Sequence, residues 1–141
     1  MKRKPTRRDR DTLNRFVERY GEWKGDVAAL VERDVIGVSV GLNGYTTPKQ
    51  AAALIRRLSL RPGMRVLDLG AGNGWPGVHI AVDARCRVTL ADIPRPALLS
   101  AAARAKSARV SRRCDPVLAS AVALPFRPAS FDAIVHTDVM C

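Results

Sequence analysis

The sequence predicts an α/β fold in which parallel strands alternate with helices. Short apolar runs of strand length alternate with helical patterns between residues 48 and 136. Strands that are separated by helices belong to βαβ units in a parallel sheet. The first of these runs, from Arg65 to Leu69, leads into a loop with a glycine at every second position, Gly70, Gly72 and Gly74. Such a loop is typical of the carboxyl end of a strand in this fold class.

The first sixty residues predict a helical cover for that sheet. Residues 1–10 hold six basic side chains and one acid, and we expect them to form a disordered basic tail. Apolar side chains at helical spacing predict a helix over residues 11–20 and a second short helix near residues 27–31. We therefore divide the chain into this tail, a helical cover over residues 11–60 and a core domain over residues 61–141.

The core elements follow in order along the chain. A capping-box pattern at Thr47, Pro48 and Gln50 predicts the start of a helix that ends near Leu58. After the turn at residues 61–63, the patterns predict a strand from Arg65, a helix over residues 76–83, a strand over Val88–Asp92, a helix over residues 96–107, a short strand at Val117 and Leu118, and a strand over residues 131–136.

Composition limits what the chain can be. Its 141 residues are enough for one domain with a modest core. We expect no membrane span, because no run of 18 apolar residues is present, and we expect no signal peptide. The three cysteines, Cys86, Cys114 and Cys141, show no C-x-x-C spacing. We therefore expect neither a disulfide framework nor a metal site, and a cytoplasmic location.

The net charge of +11 is spread unevenly along the chain. Residues 1–10 carry a net charge of +5, and residues 101–113 carry five basic side chains and no acid. Two basic blocks are compatible with a nucleic-acid patch, although neither block contains the aromatic side chains that stack on bases. The interpretation that we favour is a solvated tail and a solvated helix end.

The loop over residues 68–74 predicts a nucleotide-type cofactor site. Its glycines allow positive φ and let a ligand approach the backbone without a Cβ in the way. Two ligands match the pattern. Residues 72–77 also fit the dinucleotide pattern G-x-G-x-x-G, with Asp92 at the expected distance. Asp68 argues against a pyrophosphate, because its carboxylate is also an anion, and it suits the ammonium and sulfonium of S-adenosylmethionine.

Two blocks farther along the chain decide between these ligands. Residues 120–126 read Ser-Ala-Val-Ala-Leu-Pro-Phe, and residues 130–135 read Ser-Phe-Asp-Ala-Ile-Val. With them, residues 62–139 resemble the class I S-adenosylmethionine-dependent methyltransferases. The resemblance implies a Rossmann-like parallel sheet of strand order 3-2-1-4-5-7-6, of which this chain holds strands 3-2-1-4 only. We therefore expect a partial domain that lacks its C-terminal half through truncation or a split gene, or that a partner chain completes.

The resemblance also implies the residues of the cofactor site. Asp92 is expected to accept hydrogen bonds from both ribose hydroxyls. Ser120 stands where related sequences often carry an aspartate for the adenine amino group, and the backbone near Ala121 is the alternative contact. His136 follows the fourth strand and is a candidate general base, with a packing role as the alternative. The full set of cofactor candidates is Asp68, Gly70, Ala71, Gly72, Gly74, Asp92, Ile93, Ser120, Ala121 and His136.

We therefore predict methyl transfer from S-adenosylmethionine to a small-molecule acceptor by in-line displacement. This reaction depends on proximity and alignment and requires neither a metal nor a covalent intermediate. Two alternatives stay open. One is an RNA or protein methyltransferase, which the two basic blocks support, and the other is a truncated or inactive S-adenosylmethionine-binding fragment.

Overall fold

The computed structural model describes residues 7–22, 30–34, 39 and 46–137. Residues 30–34 are helical. The other elements are, in chain order, α1 (Arg7–Glu22), α2 (Pro48–Arg57), β1 (Arg65–Leu69), α3 (Gly77–Asp83), β2 (Arg87–Asp92), α4 (Arg95–Ser107), a 3₁₀ turn (Ser111–Arg113), β3 (Cys114–Leu118) and β4 (Ala133–Val135). The predicted alternation of helix and strand is confirmed from α2 to β4.

The four strands form one parallel sheet in the order β3-β2-β1-β4. The predicted Rossmann-like order is therefore confirmed. Leu69 lies opposite Ala91 in β2, and Asp68 lies opposite Val135 in β4, so the carboxyl ends of three strands meet at one edge of the sheet. The chain passes from one side of β1 to the other between β3 and β4. This reversal of strand order is the place where ligands bind in open α/β sheets.

The sheet buries its two faces unequally. On the helical face, Val66, Val88 and Leu90 pack with Ile80 of α3 and Leu98 of α4. On the opposite face, a smaller cluster contains Leu67, Ala91 and Ala119, with Phe126 and Phe131 packed against it. Successive strand residues point to opposite faces, so both clusters hold the same strands. Packing on both faces therefore fixes the positions of β1 and β2, and with them the loops that follow these strands.

Helix α2 begins with the predicted capping box. The Gln50 amide donates to Thr47 Oγ1 over 3.3 Å, and the Thr47 amide donates to Gln50 Oε1 over 2.8 Å. Beside the cap, Trp75 Nε1 donates to the Thr46 carbonyl over 2.8 Å. The start of α2 is therefore tied to the loop that follows β1.

Two predictions about the N-terminal segment need correction or restriction. Residues 7–10 were predicted to lie in a disordered tail, but they are the first residues of α1, where Arg7 and Asp11 pair at helical spacing over 4.0 Å. Helix α1 also continues through Gly21 to Glu22 and packs against α4. Residues 1–6 lie outside the described part of the chain, as do residues 27–29 of the predicted second helix.

Strand β3 is longer than its sequence pattern predicts. It begins at Cys114, which pairs with Val88, rather than near Val117. The polar Asp115 and the imino acid Pro116 interrupt the apolar pattern, and both are exposed. Proline and charged side chains are tolerated on the outer strand of a sheet. Within the described ranges, no helix is long and apolar enough to cross a membrane.

Helices α3 and α4 are each followed by an arginine in the left-handed conformation. Arg85 has φ of +54° and Arg109 has φ of +59°. At the end of α4, the Val110 amide donates to the Ala105 carbonyl and the Arg109 amide to the Lys106 carbonyl, over 2.8 and 3.0 Å. Glycine is the usual residue at this position, because a side chain there costs roughly 1–2 kcal/mol of backbone strain.

Candidate functional site

Asp68 lies at the end of β1, beneath the first residue of α3. Its side chain is 1% exposed, and its Oδ2 accepts a hydrogen bond from the Gly77 amide over 2.8 Å. A Cβ at Gly77 would lie 2.5 Å from Asp68 Oδ2 and would also overlap Leu90 Cδ2. The absence of a side chain at Gly77 therefore lets α3 approach close enough for its first amide to reach the carboxylate.

The buried carboxylate of Asp68 is in an unfavourable environment. Burial is the main cause that raises its pKa to about 7, the Gly77 hydrogen bond acts in the opposite direction, and the nearby charge of Asp92 raises it further. Its Oδ1 has no hydrogen-bond partner in the described part of the chain. Near neutral pH, this group therefore takes up a proton readily.

The glycine loop adopts the left-handed conformations that its spacing predicts. The φ angles of Gly70, Gly72 and Gly74 are +76°, +51° and +93°. A Cβ at Gly74 would lie 2.8 Å from Val78 Cγ2 and 3.1 Å from Ala101 Cβ. Because no side chain fits there, the loop backbone packs directly on α3 and α4. The Gly70 and Ala71 amides both donate to the Ala91 carbonyl, over 2.8 and 3.2 Å, and join the loop to β2.

Asp92 ends β2 and faces the same loop. Its Oδ2 accepts a hydrogen bond from the Gly72 amide and its Oδ1 accepts one from the Ile93 amide, each over 2.7 Å. Burial raises the pKa of Asp92, and these two amides act in the opposite direction. Each carboxylate oxygen can accept more than one hydrogen bond. Asp92 can therefore hold the loop and still accept hydroxyl groups from a ligand.

The remaining candidates lie around this edge. Ile93 is 44% exposed beside Asp92. Ser120 is half-buried, its Oγ accepts from the Val122 amide over 3.4 Å, and Ala121 is exposed in the same turn. The Ala119 amide donates to the Asp92 carbonyl over 3.0 Å and brings that turn to β2. The Ser120 hydroxyl therefore stabilises its own turn and keeps its proton available for a further partner.

His136 is exposed and directly follows β4. Because Val135 pairs with Asp68, the histidine lies at the same edge of the sheet as the glycine loop. The structure therefore brings all ten predicted cofactor residues to one edge. It also adds Thr46, whose carbonyl accepts the hydrogen bond of the buried Trp75. That contact spans 29 residues and has no local sequence signal.

Asp68→Asn is expected to change how the stability of the chain depends on pH. The pKa of Asp68 is about 7 in the folded state and about 3.9 when unfolded. Its folded pKa is raised, so its contribution is present below pH 4 and is lost as pH rises towards 7. Asparagine does not titrate, so the free energy of unfolding of the variant should rise relative to that of the unmodified chain by up to about 4 kcal/mol across this interval.

Urea denaturation of both chains at intervals from pH 4 to pH 8 measures this difference. The difference should grow up to about pH 7 and then stay constant. Asp115→Asn, on an exposed side chain of β3, is the matched control and should show a nearly constant difference. A constant difference for Asp68→Asn as well would contradict the raised pKa.

Comparison with known proteins identifies the family. The family model described as a methyltransferase domain matches residues 66–141, more than half of the chain. The chain belongs to this family. The predicted resemblance to class I methyltransferases is thereby confirmed. Among curated relatives, the 27-O-demethylrifamycin SV methyltransferase of Amycolatopsis mediterranei (strain S699) is 32% identical over 115 residues, covering 82% of this chain and 38% of the relative.

A second curated relative, also a methyltransferase by name, matches over a shorter segment. The botryococcene C-methyltransferase of Botryococcus braunii is 37% identical over 84 residues, which cover 60% of this chain and 22% of that protein. The chain thus spans less than two fifths of the length of either relative. That a C-terminal half completes the domain stays a prediction.

Solved structures of the same family show the same core. An S-adenosylmethionine-dependent methyltransferase from Geobacter sulfurreducens, in complex with S-adenosyl-L-homocysteine, matches with a TM-score of 0.54 and 27% identity, over 69% of this chain and 37% of that one. The [4+2]-cyclase SpnF matches with a TM-score of 0.58 and 29% identity, over 61% and 32%. Since a cyclase shares the fold, the reaction of this chain must be argued from its own site.

Proposed function

We propose that this chain binds S-adenosylmethionine in the loop between β1 and α3 and takes part in the transfer of its methyl group to a small molecule. The observation that carries the proposal is the Asp92 carboxylate, which holds the Gly72 amide over 2.7 Å at the edge where the strand order reverses. Family membership and the complex of the Geobacter sulfurreducens structure with S-adenosyl-L-homocysteine support it.

The residues present fit this ligand. Asp92 would accept the two ribose hydroxyls, and the side-chain-free backbone of Gly70, Gly72 and Gly74 would lie against the amino-acid portion. Ile93 offers an exposed apolar surface for the adenine ring, and the turn that contains Ser120 and Ala121 offers polar groups for its edge. Asp68, buried beneath the loop, would add negative charge near the cationic end of the ligand.

Methyl transfer requires the protein mainly to place the two reactants. When bound, S-adenosylmethionine supplies a methyl group on a positively charged sulfur that is already activated for displacement. The chain's residues therefore bind and orient S-adenosylmethionine, and they position the acceptor in line with the bond between the sulfur and the methyl group. His136 is exposed at the end of β4, where it would accept a proton from an acceptor that arrives protonated. No step requires a covalent bond to the protein.

A small molecule is the acceptor class that the relatives support. The names of both curated relatives indicate action on small molecules, a rifamycin and botryococcene. The basic residues 109–113 lie at the amino end of β3, at the edge of the sheet opposite the proposed methyl position. This placement gives no support to a nucleic acid as the group that is methylated.

Calorimetric titration of the full chain with S-adenosylmethionine, S-adenosylhomocysteine and NADH tests the ligand. We expect the first two to bind and NADH to bind at least about 100-fold more weakly, because its pyrophosphate would lie against two carboxylates. NADH binding as tight as that of S-adenosylmethionine would overturn the proposal.

The acceptor class requires a separate measurement. The chain is incubated with methyl-labelled S-adenosylmethionine and a cell extract that has been separated into small-molecule, RNA and protein fractions. Label is expected in the small-molecule fraction and not with Asp92→Ala. Label in the RNA or protein fraction would contradict the acceptor class. Ligand binding without any labelling would support the binding-fragment alternative.

A further inference from the structure

Arginine lines the edge of the sheet that is opposite the candidate site. Helices α2, α3 and α4 each return the chain to the amino end of the next strand through residues 58–64, 84–86 and 108–113. Each connection carries exposed arginine. We call the following set the arginine edge: Arg61, Arg85, Arg87, Arg109, Arg112 and Arg113.

The strand register brings these side chains together from distant parts of the sequence. Arg87 lies opposite Arg65 of β1, and the next residue, Val88, lies opposite Cys114 of β3. Arg113, the last residue of the 3₁₀ turn before β3, therefore lies beside Arg87, because adjacent strands are about 4.8 Å apart in a sheet. The Gly63 amide donates to the Arg85 carbonyl over 3.1 Å and holds the Arg61 turn beside them.

The charge of the arginine edge is not neutralised within the described chain. Arg65 is paired with Asp132 over 2.9 Å, and Asp83 Oδ2 lies 3.4 Å from His79 Nε2. No member of the arginine edge forms an ion pair with another described residue. Asp83, two residues before Arg85, and Asp115, the second residue of β3, are the remaining acids near this edge among the described residues. The edge thus has a large excess of positive charge.

Two residues of the arginine edge lie at positions where the backbone favours glycine. Arg85 and Arg109 have left-handed φ angles of +54° and +59° at the ends of α3 and α4, as Ser59 does after α2 with +49°. Residues 109–113 line a shallow, open depression of the surface at this edge. Both helix ends therefore place a guanidinium group at this edge although glycine would be less strained there.

We propose that the arginine edge binds the phosphodiester backbone of a duplex nucleic acid. Guanidinium groups match phosphate oxygens in a two-pronged geometry that lysine lacks. The edge contains no aromatic side chain to stack on bases, so binding would follow the backbone and not the base sequence. The five residues of β1 place the edge roughly 16 Å from the glycine loop. The bound nucleic acid is therefore a docking partner and not the methyl acceptor, and the inference is independent of the proposed function.

Fluorescence anisotropy of labelled 20-base-pair RNA and DNA duplexes tests this inference on the full chain. Arg85→Gly combined with Arg109→Gly removes two charges from the edge and relieves both left-handed side chains. Lys49→Gln combined with Arg95→Gln is the matched control, because these exposed residues start α2 and α4 at the other edge. The glycine variant should bind about tenfold more weakly at 0.1 M salt, with a logarithmic salt slope smaller by about 2. The control should change less than twofold.

Stability separates a binding effect from a folding effect. The glycine variant should melt at the same temperature as the unmodified chain or higher, because glycine accepts positive φ. If it melts lower, Arg87→Gln combined with Arg112→Gln must give the same loss of duplex binding. Equal weakening by the control pair would overturn the proposal. Preference for phosphatidylserine vesicles or polyglutamate over both duplexes would overturn it in favour of a membrane or an acidic protein.

Discussion

Asp92→Ala is expected to weaken the binding of S-adenosylmethionine by at least about 100-fold. In the proposed complex, the carboxylate accepts two ribose hydroxyls, and a hydrogen bond to a charged group contributes about 1.5–3 kcal/mol. The substitution also removes the acceptor of the Gly72 and Ile93 amides. The loop would then lose one of its attachments to the sheet in addition to the ligand contacts. Calorimetric titration measures the dissociation constant directly.

Asp92→Asn separates the two contributions to this loss. Asparagine keeps an acceptor oxygen for the Gly72 amide but loses the charge, so we expect a loss of about tenfold. Asp115→Asn, on the exposed side of β3, should bind as the unmodified chain does. An Asp92→Ala chain that is folded by its melting curve and binds S-adenosylmethionine with unchanged affinity would refute the ribose contact.

The parts of the fold that could be predicted are those with local signals. The capping box at Thr47 and Gln50 involves neighbours three residues apart, and the buried strands β1 and β2 appear as apolar runs. β3 gave a weaker signal because it is an edge strand, and edge strands tolerate Asp115 and Pro116 in their interior. The start of α1 was missed because six basic side chains in ten residues indicate disorder, whereas residues 7–10 lie in a helix that packs against α4.

The candidate site was also predictable only where its features give a local signal in the sequence. The glycine loop and Asp92 are visible in the sequence because each is a short pattern that follows a strand. The role of Asp68 beneath α3 is not visible in the sequence, because it depends on how closely α3 packs against β1. The arginine edge is visible only in part. Arg109, Arg112 and Arg113 belong to the basic block of residues 101–113, whereas the register of β2 with β1 and β3 is what adds Arg87 to them.

The two carboxylates act on the loop from opposite sides. Asp92 accepts the Gly72 amide from the β2 side, and Asp68 accepts the Gly77 amide from beneath α3. The backbone between these amides is therefore fixed at both ends by buried or half-buried charge. This arrangement costs stability, because burial raises the pKa of both groups. In return, it holds the loop in one conformation before a ligand arrives, which reduces the ordering cost of binding.

Gly77→Ala is expected to destabilise the chain by about 3 kcal/mol, the upper end of the usual cost of overpacking. Helix propensity alone predicts the opposite, a gain of about 1 kcal/mol. Packing dominates because the new Cβ would overlap Leu90 Cδ2 and lie 2.5 Å from Asp68 Oδ2. Both side chains are buried on strands that cannot move apart without breaking the sheet. To relieve the contact, α3 must shift away and release the Gly77–Asp68 hydrogen bond.

Urea denaturation of Gly77→Ala and Gly63→Ala distinguishes this contact from the general cost of replacing glycine. Gly63 has φ of +85°, and a Cβ there would meet nothing within 4 Å. Gly63→Ala should therefore show only the backbone cost of a left-handed side chain, about 1 kcal/mol. A loss for Gly77→Ala no larger than that of Gly63→Ala would mean that α3 is not held against β1 as described. A larger loss, together with weaker S-adenosylmethionine binding, would connect the packing beneath α3 to the shape of the loop above it.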